Sequence, residues 1–188
     1  TDEYFRQALN YARLEGDSIH LFDTYLALYW NKMVQEKLDE GKLYLDTLST
    51  FYNRLPGKDY FIINAQSVYF DVINEPEKAL EREKKLLQIT YNQKENIELS
   101  RLYYIISDRY VGLEQLDSAM LYAQMAIEFI DDTTYRQNYL YYQNVANVAE
   151  KQGNYALSNE YLRKAFDLHN QSISDRLDTR IVELEKKY

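Results

Sequence analysis

The chain has 188 residues, with 5 glycines, 2 prolines, 20 tyrosines, no cysteine and a formal net charge of −8. That length suits one medium domain or a short repeat array, and so few turn residues exclude a sandwich or barrel of many short strands. Without cysteine there is no disulfide framework, thiol nucleophile or thiolate metal site, and the acidic balance opposes a nucleic-acid surface, which needs a basic footprint.

No run of 18 apolar residues occurs, so no segment reads as a bilayer span. The chain opens on Thr1 rather than methionine, and TDEYFRQALNYA already reads as helix, as expected of a processed or excised fragment. Leu, Ala, Glu, Lys, Gln and Arg are abundant, all good helix formers. Apolar and small residues three and four apart predict helices over 2–14, 17–39, 41–54, 58–73, 76–92, 94–112, 115–131, 133–152, 154–169 and 171–187. The breaks are assigned to Gly41, Pro56-Gly57, Pro76, Gly112 and Gly153, with Pro76 early in its helix where a missing N–H costs little. Asp131-Asp132 ends one helix and caps the next. The run EKALEREKKL mixes charge signs at helical spacing and reads as a solvated outer face.

The stretch YYQNVANVAEKQGNYALSNEYLRKAF, Tyr141 to Phe166, pauses at Gly153-Asn154 and resumes. Before the turn it carries Tyr142-x2-Val145-Ala146-x2-Ala149, and after it Ser158-x3-Leu162 and Ala165. An earlier copy reads Tyr103-x2-Ile106-Ser107-x2-Tyr110, then Ala119-x3-Ala123 and Ala126. A small or apolar position recurs at Ala165, Ala126, Leu86, Leu48 and Ala8, with separations of 39, 40, 38 and 40. Five matches at nearly constant spacing are hard to obtain from unrelated helices, so the segment is one copy of a repeat.

An aromatic and a small residue on a first helix, then Ala-x3-apolar on a second, resembles the tetratricopeptide-repeat family over residues 1–170. The sequence departs from that family in its period of about 39 rather than ~34, in lacking the final proline, and in lacking small residues, notably at Gln66 and Glu83. HEAT-like helix pairs, with periods of ~40 or more, are the rival at the level of fold. The resemblance implies an all-α, right-handed α-α superhelix, a solenoid of about five antiparallel helix pairs with the first incomplete. Small side chains at Ala119 and Ala126 would let the helices of a hairpin approach, and aromatics at Tyr103 and Tyr142 would fill the space between neighbouring repeats.

Residues 171–188 form a separate C-terminal helix in this reading, with Ile173, Leu177, Ile181, Leu184 and Tyr188 spaced four, four, three and four apart. Glu183 and Lys187 make an i,i+4 pair. The helix is either a cap on the last repeat or the start of a longer helix or coiled coil. The Tyr- and Asn-rich elongated units and the tail ISDRLDTRIVELEKKY resemble the repeat sensor regions of Bacteroidetes membrane-bound transcriptional regulators and histidine kinases. That resemblance implies a periplasmic or extracytoplasmic location, with a membrane span and an output module after Tyr188; a cytoplasmic location is the alternative. Asp17-Ser18-Ile19, Asp46-Thr47-Leu48, Asp117-Ser118-Ala119 and Asp132-Thr133-Thr134 match an O-glycosylation pattern associated with that phylum, but so short a pattern arises readily by chance.

His20 and His169 are isolated, and no His-Glu-x-x-His, phosphate-cradling glycine loop or nucleophile elbow occurs. No enzyme, cofactor or metal is expected. His20 is placed near a helix start, His169 at a helix C-terminus, and Trp30 in inter-helix packing. In such arrays the first helices line the concave face, which maps a groove onto Asn64, Arg101, Tyr104, Asp108, Gln143, Asn147 and Lys151. These residues do not reproduce the Lys/Asn carboxylate clamp of chaperone-binding relatives. The expected function is non-catalytic: the binding or sensor input of a larger signalling or transcriptional regulator, holding a peptide, protein or small ligand on the concave face. A free-standing scaffold and a peptide-pheromone-responsive regulator are the alternatives, and no nucleic-acid contact is expected of this segment.

Overall fold

The structure, a computed structural model, describes residues 2–93, 96–130 and 138–186. Nine helices lie among them: α1 Asp2–Glu15, α2 Ser18–Val34, α3 Leu38–Ser49, α4 Asp59–Val72, α5 Pro76–Gln93, α6 Asn96–Gly112, α7 Leu116–Glu128, α8 Asn138–Lys151 and α9 Tyr155–Glu185. No strand occurs among the described residues. The Asp131-Asp132 cap, the Asp132-Thr133-Thr134 match, the helix starts at 94 and 133, and Lys187 and Tyr188 fall outside the described residues. The chain divides into two compact units, residues 1–82 and 83–188, with the boundary inside α5.

The repeat is written most plainly in the hairpin turns. Glu36, Asn74, Glu114 and Gly153 all have positive φ, at 58°, 59°, 58° and 76°, and their positions are 38, 40 and 39 apart. In each turn this residue donates its N–H to the carbonyl three back, as Glu114 does to Val111 at 3.1 Å. The next residue donates five back, as Gln115 does to Tyr110 at 2.9 Å, completing a Schellman closure of the first helix. The carbonyl of that same residue then accepts the first bond of the following helix, as in Ala119 N–H to Gln115 O at 3.0 Å. One residue ends one helix and opens the next, so the two run antiparallel after a three-residue link.

Gly41 is therefore not the break the sequence suggested, whereas α6 does end at Gly112 as expected. Gly112 closes α6 without positive φ, and Glu114 takes the left-handed position; Gly41 lies inside α3, after a break at Glu36. Gly41 is buried because α3 passes close to α2: a Cβ there would meet Met33 Sδ at 3.0 Å. In the turn-defined register Gly41 matches Ala79, Ala119 and Ser158, all buried. The same register puts Ser67, not Gln66, opposite Ser107 and Ala146, so the small residue thought missing from that repeat is present and buried.

In the first unit, Phe22, Tyr29, Leu45, Leu48, Ile62 and Ala65 form a core, with half-buried Trp30 packed against it, its ring edge-on to Tyr29 at 4.9 Å. The Tyr29 hydroxyl donates to the Ala65 carbonyl at 2.6 Å, tying α2 to α4, and burial pushes its phenol pKa up. Lys32, almost wholly buried, reaches Glu40 Oε2 at 2.8 Å across the α2–α3 hairpin.

In the second unit, Leu99, Tyr103 and Ala126 anchor a core between α6 and α7. The Tyr103 ring meets Tyr122 at 6.1 Å and Phe129 at 5.3 Å, and Tyr142 meets Tyr161 at 6.1 Å. These ring contacts are within hairpins, whereas the ring contact across a repeat boundary is Tyr104 with Tyr141. Glu83 is 2% exposed and accepts from Arg109 Nη2 at 2.9 Å, so the run EKALEREKKL is not uniformly a solvated face. Opposite the register of Ala123, a buried ion pair replaces a small side chain.

The expected helices 154–169 and 171–187 are one helix, α9, continuous for 31 residues. Nothing at Asn170 interrupts its backbone pattern, and no glycine or proline lies between Gly153 and the C-terminus. His169 consequently sits in mid-helix, half-buried against Tyr139 with ring centroids 4.5 Å apart, rather than at a helix C-terminus.

Candidate functional site

Two first helices of the second unit, α6 and α8, pack against one another and carry six of the seven groove positions. On α6, Arg101, Tyr104 and Asp108 follow at i, i+3 and i+7; on α8, Gln143, Asn147 and Lys151 follow at i, i+4 and i+8. Each set falls on one helix face, because three- and four-residue steps return to the same side. Asp108, Gln143, Asn147 and Lys151 are exposed, and Arg101 and Tyr104 are half-buried. Asn64 lies half-buried on α4 in the first unit.

At the centre of this face the Tyr104 and Tyr141 rings meet edge to face at 5.8 Å. Tyr141 was not among the groove residues read from the sequence; the consecutive tyrosines Tyr141-Tyr142 gave no means of telling which faces the site. Burial, then the Asp108 charge, raises the pKa of the Tyr104 phenol. Tyr141 is raised by burial, with the Arg101 charge opposing and Glu98 and Tyr104 adding. Both hydroxyls are therefore protonated donors at neutral pH.

Arg101 Nε donates to Glu98 Oε2 at 2.9 Å, and Nη2 contacts Glu98 Oε1, so the guanidinium is held in a fork by its neighbour one turn back. The pair is internally neutralised, which removes the full positive charge an anion clamp would need. Below the face, the Ser107 hydroxyl lies 2.8 Å from both the Ala119 carbonyl oxygen and Asn144 Oδ1. The single hydroxyl proton serves one of these acceptors at a time, so this buried group links α6 either to its hairpin partner or to the next repeat.

Gln143 also lines a second feature, a cavity of about 670 Å³ between α8 and α9, with Tyr139, Leu162, Phe166 and His169 among its walls. Among the described residues no group of three or more His, Cys, Asp or Glu is placed to hold a metal ion, and no helix is long and apolar enough to cross a membrane. The arrangement offers phenol donors, carboxamides, the Asp108 carboxylate and the Lys151 ammonium along two helical stripes. Such a set suits hydrogen bonding to the alternating N–H and C=O groups of an extended chain.

No family model matches the chain, and no curated protein does. Among solved structures it is similar to BtubC (BKLC) from P. vanneervenii, at 14% identity over 90% of this chain and 72% of that one, with a TM-score of 0.81. It is similar to the apo form of RapI at 16% identity, over 96% of this chain and 67% of that chain, with a TM-score of 0.80. A MamA fragment, residue 41 to the end, from Desulfovibrio magneticus RS-1 aligns at 15% identity over 90% and 86%, with a TM-score of 0.69. Identities this low carry the fold and nothing more: an all-α, tetratricopeptide-like solenoid of helix pairs.

Proposed function

We propose that the chain is a non-catalytic binding module whose α6–α8 face takes an extended peptide or a segment of a partner protein, and that it serves as the input region of a larger signalling regulator. The observation that carries the reading is the pair of polar stripes, Arg101-Tyr104-Asp108 and Gln143-Asn147-Lys151, flanking the Tyr104–Tyr141 pair. The outer members of those stripes, Asp108, Asn147 and Lys151, are exposed on helices whose opposite faces are buried in the core. Aromatic rings with protonated hydroxyls give contact area at low entropy cost, and carboxamides on a regular helix give hydrogen bonds in fixed register.

Occupation of both stripes couples α6 to α8, and α9, hairpin partner of α8, carries the change toward the C-terminus. The Bacteroidetes-type resemblance supports an extracytoplasmic location upstream of a membrane span and an output domain. Panning a displayed library of random linear peptides on the purified chain tests the binding face. Selected peptides should lose about tenfold or more in affinity on combined Tyr104→Ala and Asn147→Ala substitution, consistent with the loss of two interface anchors. Equal binding to wild type and variant, with helicity unchanged by circular dichroism, would sink the assignment of this face.

A further inference from the structure

One row of side chains on the second helix recurs from hairpin to hairpin, and on α9 it is uncovered. Counted from the left-handed turn residue, the row is Leu38, Lys42, Leu45 and Ser49 on α3, and Leu116, Met120, Ala123 and Ile127 on α7. All of these are buried or half-buried, with α4 packed on α3 and α8 packed on α7. The same four positions on α9 are Tyr155, Asn159, Leu162 and Phe166, and every one is exposed, Tyr155 and Phe166 by 65% each. The row lies on the half of α9 that is paired with α8 and is about 17 Å long at ~1.5 Å per residue. Asn159, Leu162 and Phe166 wall the cavity of about 670 Å³ between α8 and α9, opposite Tyr139 and Gln143.

We propose that this groove receives, in trans, a four-turn amphipathic helix from a partner protein. The helical form of the occupant follows from the two covered copies, whose grooves hold α4 and α8, each a helix of 14 residues. Its arrival in trans follows from α9. Helices α3 and α7 stop at Ser49 and Glu128, level with Phe166 and Asp167, and the chain comes back over them as α4 and α8; α9 runs on unbroken to Glu185. The side chains set the chemistry of the partner. Leu45 holds on α3 the place of Leu162, and there α4 brings Ala65 into the same core. The partner helix therefore needs an alanine-sized residue over Leu162 to reach the ~8–10 Å axis separation of packed helices. Apolar side chains a turn to either side meet Tyr155 and Phe166, and a hydrogen-bonding one lies between the carboxamides of Asn159 and Gln143. So short a groove makes a reversible contact, below the ~1,200 Å² of stable interfaces.

Panning a displayed library of helix-constrained 14-residue peptides on the full chain tests the proposal, which does not depend on what the α6–α8 face binds. Recovered helices should carry a small residue at the centre of their apolar face and bind reversibly. Leu162→Glu and Phe166→Glu should each weaken them by about tenfold or more, the loss of an interface anchor. Both positions are exposed, so helicity by circular dichroism should stay unchanged. Combined Tyr104→Ala and Asn147→Ala substitution should leave this binding intact, which separates the groove from the α6–α8 face. No enrichment, helices indifferent to both glutamates, or helices lost with the Tyr104 and Asn147 changes would overturn the assignment. Sedimentation equilibrium supplies one further overturning result: wild-type self-association abolished by either glutamate would give the groove to a second copy of the chain.

Discussion

The hairpins α6–α7 and α8–α9 are the same structural unit 39 residues apart, yet the outer sides of their second helices differ. Ala123 on α7 is 0% exposed, and Leu162 at the same register on α9 is 41% exposed. Helix α7 packs against α8, and its small side chains let that helix approach; α9 puts bulk where α7 has methyl groups. One repeat pattern thus gives both a covered face and an open one, and since Leu45 at the same register on α3 is 4% exposed, packing by the following helix rather than side-chain volume separates them.

The comparison breaks most visibly if the residues are exchanged. Ala123→Leu gives α7 the α9 residue in a site already closed, and overpacking of that kind costs about 1–3 kcal/mol. Leu162→Ala removes a partly exposed side chain and should cost under about 1 kcal/mol, less than truncation of a fully buried leucine. Urea unfolding of both variants measures the contrast, and equal effects would mean that the two faces are not distinguished by packing. The turns sharpen it at smaller scale. Glu114 occupies in α6–α7 the left-handed position that Gly153 occupies in α8–α9. A side chain in that conformation costs about 1 kcal/mol or more, partly offset by the backbone entropy glycine loses on folding. Glu114→Gly should therefore raise the urea midpoint modestly and Gly153→Ala should lower it, whereas shifts of the same sign would show that the turns are not equivalent.

Much of the repeat was readable because its signal is physical and recurrent. Small side chains at Ala119, Ala123 and Ala126 mark close helix approach, and of the five recurring positions Ala165, Ala126, Leu86 and Leu48 are buried while Ala8 is half-buried. The breaks were harder. Glycine is the usual mark of a left-handed residue, but here Glu36, Asn74 and Glu114 take that conformation while Gly41 serves a close contact with Met33. The spacing of Gly41, Ala79, Ala119 and Ser158 held the correct register, because a buried small position follows the turn at fixed distance. The length of α9 was hidden by its composition, since no glycine or proline after Gly153 marks where a helix would end. The expected groove residues fall on α4, α6 and α8 because the period alone assigns them to first helices. Tyr141 escaped because a tyrosine pair gives no sign of which ring meets Tyr104.

The subtlest difference between the hairpins lies in ionisation. Tyr104 on α6 has as its counterpart on α8 Gln143, 39 residues on, which has no titrating group. Burial raises the phenols of Tyr103, Tyr104 and Tyr141 above their ordinary value. A raised folded pKa means that below about pH 10 both states keep the proton and the stability is fully present. Above that value the unfolded chain ionises first, so stability falls as pH climbs toward the folded pKa. The urea midpoint should stay flat with respect to these groups up to about pH 9.5 and then decline. Tyr104→Phe should make the decline shallower, because one group that must remain protonated in the fold is gone, while Gln143→Ala should leave its slope unchanged. If the two substitutions alter the alkaline slope alike, the loss reflects general charge repulsion across the unit and not the buried tyrosines of the α6–α8 face.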